Sequence, residues 1–127
     1  MPGLVLRLIG SLVLVVWGVA HIVPVRRITR GFGSLSPENR RIVSSTWIAE
    51  GLALIFVGAI EALVTTYGIL GGGLENRIAL ASGGFLLALA LLDLATKARS
   101  AHLAMRLCPI VLILVAGAFI ASTVVPG

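Results

Sequence analysis

The chain has 127 residues, enough for one domain, and we treat residues 1–127 as a single unit. Hydrophobic residues make up 58% of it and charged residues only 12%, whereas a soluble domain carries about 25% charged residues. This composition excludes a surface that faces water on all sides. The formal charge of +5 does not indicate nucleic-acid binding, because no basic stretch is interleaved with aromatic residues for base stacking.

Four apolar segments predict an all-α fold, a bundle of four transmembrane helices at residues 4–23, 37–66, 76–96 and 101–125. The first is expected to be a retained anchor rather than a signal peptide, because one arginine precedes its apolar run and several follow it. The second begins with an N-cap signature, Ser36 followed by Pro37. Pro109 lies inside the fourth segment and predicts a kink there.

The basic residues between the segments predict the orientation in the membrane. If all four helices span, both termini and the Gly71–Gly73 turn share one side, which carries Arg7 and Arg77. The opposite side carries the other basic residues: Arg26, Arg27, Arg30, Arg40, Arg41, Lys97, Arg99 and Arg106. The positive-inside rule places the basic side in the cytoplasm, so we expect both termini outside.

The second segment contains two acidic residues, Glu50 and Glu61, within an otherwise apolar run. They are separated by about three helical turns and therefore share one face with Trp47, Leu54 and Val57. A carboxylate near the centre of a transmembrane helix costs about 2.5–3.5 kcal/mol. We therefore expect this face, the polar seam of the second helix, to face protein or water rather than lipid.

Small residues of the same helix, Gly51 and Gly58, allow a neighbouring backbone to approach closely. Four short helices enclose little volume, so we expect one such face to remain after internal packing. This predicts a homo-oligomer, most simply a dimer joined near Gly58, or an association with a partner membrane subunit.

Titratable side chains concentrate in the cytoplasmic half of the predicted bundle, together with two tryptophans. The candidate ligand-binding or proton-binding residues are Glu50, His21, Asp93, Glu61, Trp47, Trp17 and His102. Structural roles compete with this interpretation, since Asp93 has Lys97 at i+4 and tryptophans anchor helices at interfaces. The predicted depth brings these residues to similar levels, except Glu61, which is expected nearer the outer face. Helix rotation leaves their lateral proximity open.

No local motif identifies a catalyst or a cofactor. The sequence has no His-x-x-x-His or Glu-x-x-His spacing, so no metal site is predicted, and it has no phosphate-binding loop. The single Cys108 excludes an internal disulfide, and we interpret it as a small packed residue.

The first segment, LRLIGSLVLVVWGVAHIVP, resembles the opening of DoxX-like small membrane proteins. The matching positions are Arg7, Gly10, Gly18, His21 and Pro24, and the plan of four spans also agrees. The resemblance implies a multi-pass protein of the bacterial cytoplasmic (inner) membrane, sometimes linked to quinone or sulfur redox chemistry.

Three functions remain open from the sequence. The leading hypothesis is a small integral membrane protein that binds a lipophilic small molecule or a partner subunit through the polar seam. The second is a proton-coupled small-molecule transporter. The third is a membrane enzyme, an isomerase or a quinone-linked redox subunit, that uses Glu50, Asp93 and a histidine as acid and base.

Overall fold

The structure, a computed structural model, describes residues 2–68, 73–97 and 103–125. Every regular element in these ranges is a helix, as the predicted all-α fold requires. The helices are α1 (Pro2–Ile22), α2 (Val25–Gly31), α3 (Pro37–Tyr67), α4 (Leu74–Thr96) and α5 (Leu103–Ser122). Gly71, Gly72 and the candidate residue His102 lie outside the described residues.

Four of these helices, α1, α3, α4 and α5, are long and apolar enough to cross a membrane. They correspond to the four predicted segments, with ends that differ by no more than three residues. The agreement follows from the length of the apolar runs and from the capping residues. At the start of α3, Ser36 Oγ accepts a hydrogen bond from the backbone N–H of Asn39 at 3.1 Å. At its end, the C-cap residue Gly68 has a left-handed conformation with a φ of 54°.

The short helix α2 is absent from the predicted set of four, since the sequence indicated only a short turn on the membrane surface over residues 25–30. It forms because Pro24, which has no N–H to donate, ends α1 and serves as the N-cap of α2. One face of α2 is then held by apolar contacts, since Ile28 is buried in a cluster with Trp47 and Met105. Tertiary packing, rather than a local motif, therefore makes this stretch helical.

The four long helices pack as two pairs. α1 lies chiefly against α3 and α4 against α5, while α1 and α5 join the pairs. The buried core between them includes Leu14, Leu54, Leu86, Leu112 and Phe119. α3 and α4, although consecutive in the chain, meet at only a few points along a line that we call the α3–α4 seam.

Glycines set the close approach of α1 and α3. A Cβ atom at Gly58 would lie 2.8 Å from the Ser11 carbonyl oxygen and 2.8 Å from Val15 Cγ2, and one at Gly51 would lie 2.9 Å from the Gly18 carbonyl oxygen. The small-residue face of α3 is therefore used inside the chain. The expectation that Gly58 joins two copies of the protein was wrong, because α1 already covers it.

We predict that Gly58→Ala lowers the thermal stability of the protein in detergent. The added methyl group must push α1 away, and overpacking of this kind costs about 1–3 kcal/mol. Gly117→Ala is the matched control, because a Cβ atom at Gly117 meets nothing within 4 Å. Equal melting temperatures of the two variants would contradict the close α1–α3 contact.

Candidate functional site

Glu50 lies at the centre of a polar cluster where the ends of α1 and α4 approach α3. The Lys97 ammonium, directly after α4, donates a hydrogen bond to Glu50 Oε2. His21 Nε2, near the end of α1, is 3.5 Å from the same oxygen. Lys97 Nζ also lies 2.9 Å from Asp93 Oδ1, so one ammonium bridges two carboxylates that belong to different helices.

The position of Lys97 follows from local sequence. Asp93 and Lys97 are four residues apart at the C-terminus of α4, where a helix end favours positive charge. Burial lowers the pKa of Lys97, but its contacts with Glu50 and Asp93 outweigh that effect and raise the pKa above its ordinary value. Lys97 is therefore a stable cation at neutral pH.

Trp47 fixes the orientation of His21. The two rings are stacked, with centroids 4.2 Å apart and planes inclined by 8°. The Trp47 indole N–H donates a hydrogen bond to the backbone oxygen of His21. The Lys97 ammonium lies 5.2 Å from the Trp47 ring centroid, within the range of a cation–π contact. Trp47 thus contacts two neighbours of Glu50, the imidazole of His21 and the ammonium of Lys97.

Cys108 adds the last spanning helix to the cluster. The residue is 1% exposed. Its Sγ accepts a hydrogen bond from Trp17 Nε1 at 3.5 Å and lies 4.0 Å from Glu50 Oε1. With Cys108 on α5, all four long helices contribute a side chain to the surroundings of Glu50.

Three donor atoms of this cluster are arranged closely enough to share a metal ion. One ligand atom each from His21, Glu50 and Cys108 lies within 4.8 Å of the other two. Imidazole, carboxylate and thiolate form a donor set that suits Zn²⁺. However, the Lys97 ammonium already contacts Glu50, so a metal ion bound there would share this carboxylate with a like charge.

With His21 neutral and both carboxylates ionised, the formal charges of the cluster do not balance among the described residues. Glu50 and Asp93 supply two carboxylates, whereas Lys97 supplies one ammonium. Asp93 is 1% exposed, and its Oδ2 has no hydrogen-bond partner; His21 Nε2 has none either. Uncompensated charge in a low-dielectric interior is costly. The cluster therefore has the capacity to accept one further positive charge.

Glu61 lies at the other end of the α3–α4 seam. It is 0% exposed and accepts a hydrogen bond from Ser82 Oγ on α4 at 2.6 Å. Its second oxygen, Oε2, and the nearby Thr65 hydroxyl have no partner within the described residues. The seam is thus crossed by a polar contact at each end, Lys97–Glu50 and Ser82–Glu61.

Arg7, which the sequence suggested as a flanking topology signal, is instead 6% exposed. Its Nε donates to Ser122 Oγ at 2.9 Å, and its Nη2 donates to Asn76 Oδ1. Its Nη1 lies 3.9 Å from Glu75 Oε2. Arg7 therefore ties α1 to the start of α4 and the end of α5, which the sequence did not predict.

The structure brings together most of the residues proposed from the sequence. Glu50, His21, Trp47 and Asp93 lie in one cluster with Trp17 at its edge, and Glu61 is separate. Ser44 and Ser45, which lie one to two turns before Glu50, face a separate cleft instead. Two members were missed. The spacing paired Lys97 only with Asp93, and no pattern in the sequence indicated a role for the single cysteine, Cys108, beyond packing.

Comparison of the chain with protein-family models, with curated proteins and with solved structures finds no match.

We predict that Lys97→Met destabilises the protein, because it leaves both Glu50 and Asp93 without their shared cation. Since Lys97 is partly exposed, we expect a loss of about 1–3 kcal/mol in the free energy of unfolding. The control is Arg77→Met, which removes an exposed cation of α4 that forms no ion pair among the described residues.

The double variant Lys97→Met/Asp93→Asn provides a second check, since it removes one of the two stranded charges. We expect it to recover part of the lost stability in a thermal unfolding experiment. Loss no greater than that of Arg77→Met would show that the bridge contributes nothing.

Proposed function

We propose that this protein is an integral membrane protein that binds a lipophilic small molecule bearing a positive charge. The observation that carries the proposal is the charge of the Glu50 cluster, in which two carboxylates face one ammonium. A cationic head group would supply the missing charge and meet the unpartnered oxygen of Asp93. Selectivity for cations follows, because an anion would add to the excess negative charge.

The α3–α4 seam offers a place for the apolar body of such a molecule. The two polar contacts that cross it involve Glu50 and Glu61, which are about 16 Å apart along α3. Between them α3 presents Val57 and α4 presents Leu89, both only partly buried against the core. Because α3 and α4 meet at few points, the seam can widen with little loss of packing.

The cellular setting belongs to the same proposal. The DoxX-like resemblance of the first helix supports a bacterial cytoplasmic membrane, and the excess of arginines on one side supports termini outside. Assembly into a homo-oligomer or with a partner membrane subunit remains a prediction, for which Gly58 no longer supplies the contact.

A matched pair of probes tests cation binding. Purified protein in lipid nanodiscs should bind tetraphenylphosphonium, a lipophilic cation, and should not bind tetraphenylborate, an anion of the same shape. Glu50→Gln leaves Lys97 and Asp93 as a balanced pair. An interaction with a charged group is worth about 1.5–3 kcal/mol, so we expect affinity to fall at least about tenfold.

The control for this experiment is Glu38→Gln, which removes an exposed carboxylate from the first turn of α3. Its affinity for tetraphenylphosphonium should equal that of the original protein. Unchanged affinity in Glu50→Gln, or equal binding of the two probes, would refute a cation site at Glu50.

A second candidate function, proton-coupled transport, is favoured by His21. Its Nε2 lies 3.5 Å from Glu50 Oε2 and has no hydrogen-bond partner, so a proton there would supply the same missing charge. Calorimetric titration in two buffers of different ionisation enthalpy separates the candidates. Release of a proton on probe binding supports exchange, whereas binding without release supports a simple binding protein. The membrane enzyme that the sequence also leaves open remains a prediction.

The orientation gives a further prediction. In intact bacterial cells, a membrane-impermeant maleimide should label Val124→Cys, because Val124 is 81% exposed and near the C-terminus. It should label Ser34→Cys only after the membrane is permeabilised. The unsubstituted chain is the control, since its Cys108 is buried. The reverse pattern of labelling would invert the proposed topology.

A further inference from the structure

A second cleft, separate from the Glu50 cluster, lies between α2 and the N-terminal half of α3. Its volume is about 820 Å³. Four arginines, two on each helix, line one end of it, and hydroxyl-bearing and apolar residues line the rest. The lining comprises Arg26, Thr29, Arg30, Arg40, Arg41, Ser44, Ser45, Ile48, Ala49 and Leu52. The geometry points to a binding site for a phospholipid with an anionic headgroup.

The charge of this arginine cleft is uncompensated. No acidic residue is among those that line it, and none of its four guanidinium groups forms an ion pair with any described residue. Arg26 and Arg30 are four residues apart on α2, a spacing at which like charges repel on one helix face. An anion between the helices would relieve this repulsion and accept bidentate hydrogen bonds from the guanidinium groups.

The cleft has a fixed wall because α2 is anchored. Ile28 is 6% exposed and packs with Trp47 and Met105, and Val25 packs against the same group. The opposite face of α2 is thereby turned so that Arg26 and Arg30 stand across from Arg40 and Arg41 of α3. The arginines are brought together by the fold rather than by sequence alone.

The long helix α3 places the arginines at headgroup depth. Its 31 residues extend over about 46 Å, more than the hydrocarbon thickness of about 30 Å, so its first turns project beyond the apolar layer. The lining of the cleft then continues down one stripe of α3, from Arg41 through Ser44 and Ile48 to Leu52. Cationic at one end and apolar at the other, the stripe follows the order of an anionic headgroup and its acyl chain.

A free phosphate or phosphate ester would satisfy the arginines but not the apolar part of the cleft. Ile48, Ala49 and Leu52 would face such an ion without contributing to its binding. A phospholipid uses both ends, and basic pockets on the cytoplasmic side of membrane proteins suit anionic headgroups. We therefore assign the cleft to a lipid, and a soluble phosphate becomes an outcome of the test.

Native mass spectrometry of the detergent-solubilised protein can measure this binding directly. Dioleoylphosphatidylglycerol and dioleoylphosphatidylcholine share acyl chains and differ in headgroup charge, so we expect the first to bind more tightly. Each basic residue near an anionic lipid contributes about 1 kcal/mol, so the Arg26→Gln/Arg30→Gln variant should lose about thirtyfold in affinity for phosphatidylglycerol. Arg40→Gln/Arg41→Gln, on the other wall, should lose a similar factor.

The matched control is Arg27→Gln, which removes the same charge from α2 at an exposed position outside the cleft lining. It should change the affinity by less than about threefold, since a lone surface charge contributes little. Equal binding of the two lipids would contradict the lipid site. So would a change in binding free energy for Arg27→Gln that is half or more of the change for Arg26→Gln/Arg30→Gln. Displacement of bound phosphatidylglycerol by millimolar inorganic phosphate would overturn the lipid assignment and identify a soluble anion instead.

Discussion

The arrangement depends on one electrostatic constraint, the Glu50 carboxylate within an otherwise apolar bundle. Such a group must meet a cation or hydrogen-bond donors, because the surrounding medium cannot solvate it. Lys97 and His21 meet this need, and in doing so they fix how α3 is rotated and where α1 and α4 end beside it. With α3 in this orientation about its axis, Trp47, Leu54 and Glu61 face the protein interior.

Different interactions hold α3 to its two neighbours, close packing to α1 and polar contacts to α4. α1 and α3 are joined by contacts at Gly18, Gly51 and Gly58 that leave no space for a methyl group. α3 and α4 are joined mainly by polar contacts at Glu50 and Glu61, with few backbone approaches between them. Tight packing resists displacement, whereas polar contacts can be exchanged for those of a ligand. The seam is therefore the part of the bundle best suited to open.

The features that the sequence predicted are those that depend on a single helix. Apolar length, the Ser36 cap and the shared face of Glu50 and Glu61 all follow from spacing along the chain, and the structure agrees with each. Contacts between helices depend on rotation and lateral order, which spacing does not determine. For that reason the Lys97–Glu50 bridge, the burial of Arg7 and the anchored helix α2 were not predicted.

Trp47 connects the two sites that α3 carries on different faces. Its ring stacks on His21 in the Glu50 cluster, and it also packs with Ile28, which anchors the wall of the arginine cleft. A substitution at Trp47 would disturb both sites and could not distinguish them. Glu50 and Arg30 each belong to only one site, since Glu50 does not line the cleft and Arg30 makes no contact with the Glu50 cluster. Independent loss of cation binding in a Glu50 variant and of lipid binding in an Arg30 variant would therefore separate the two functions.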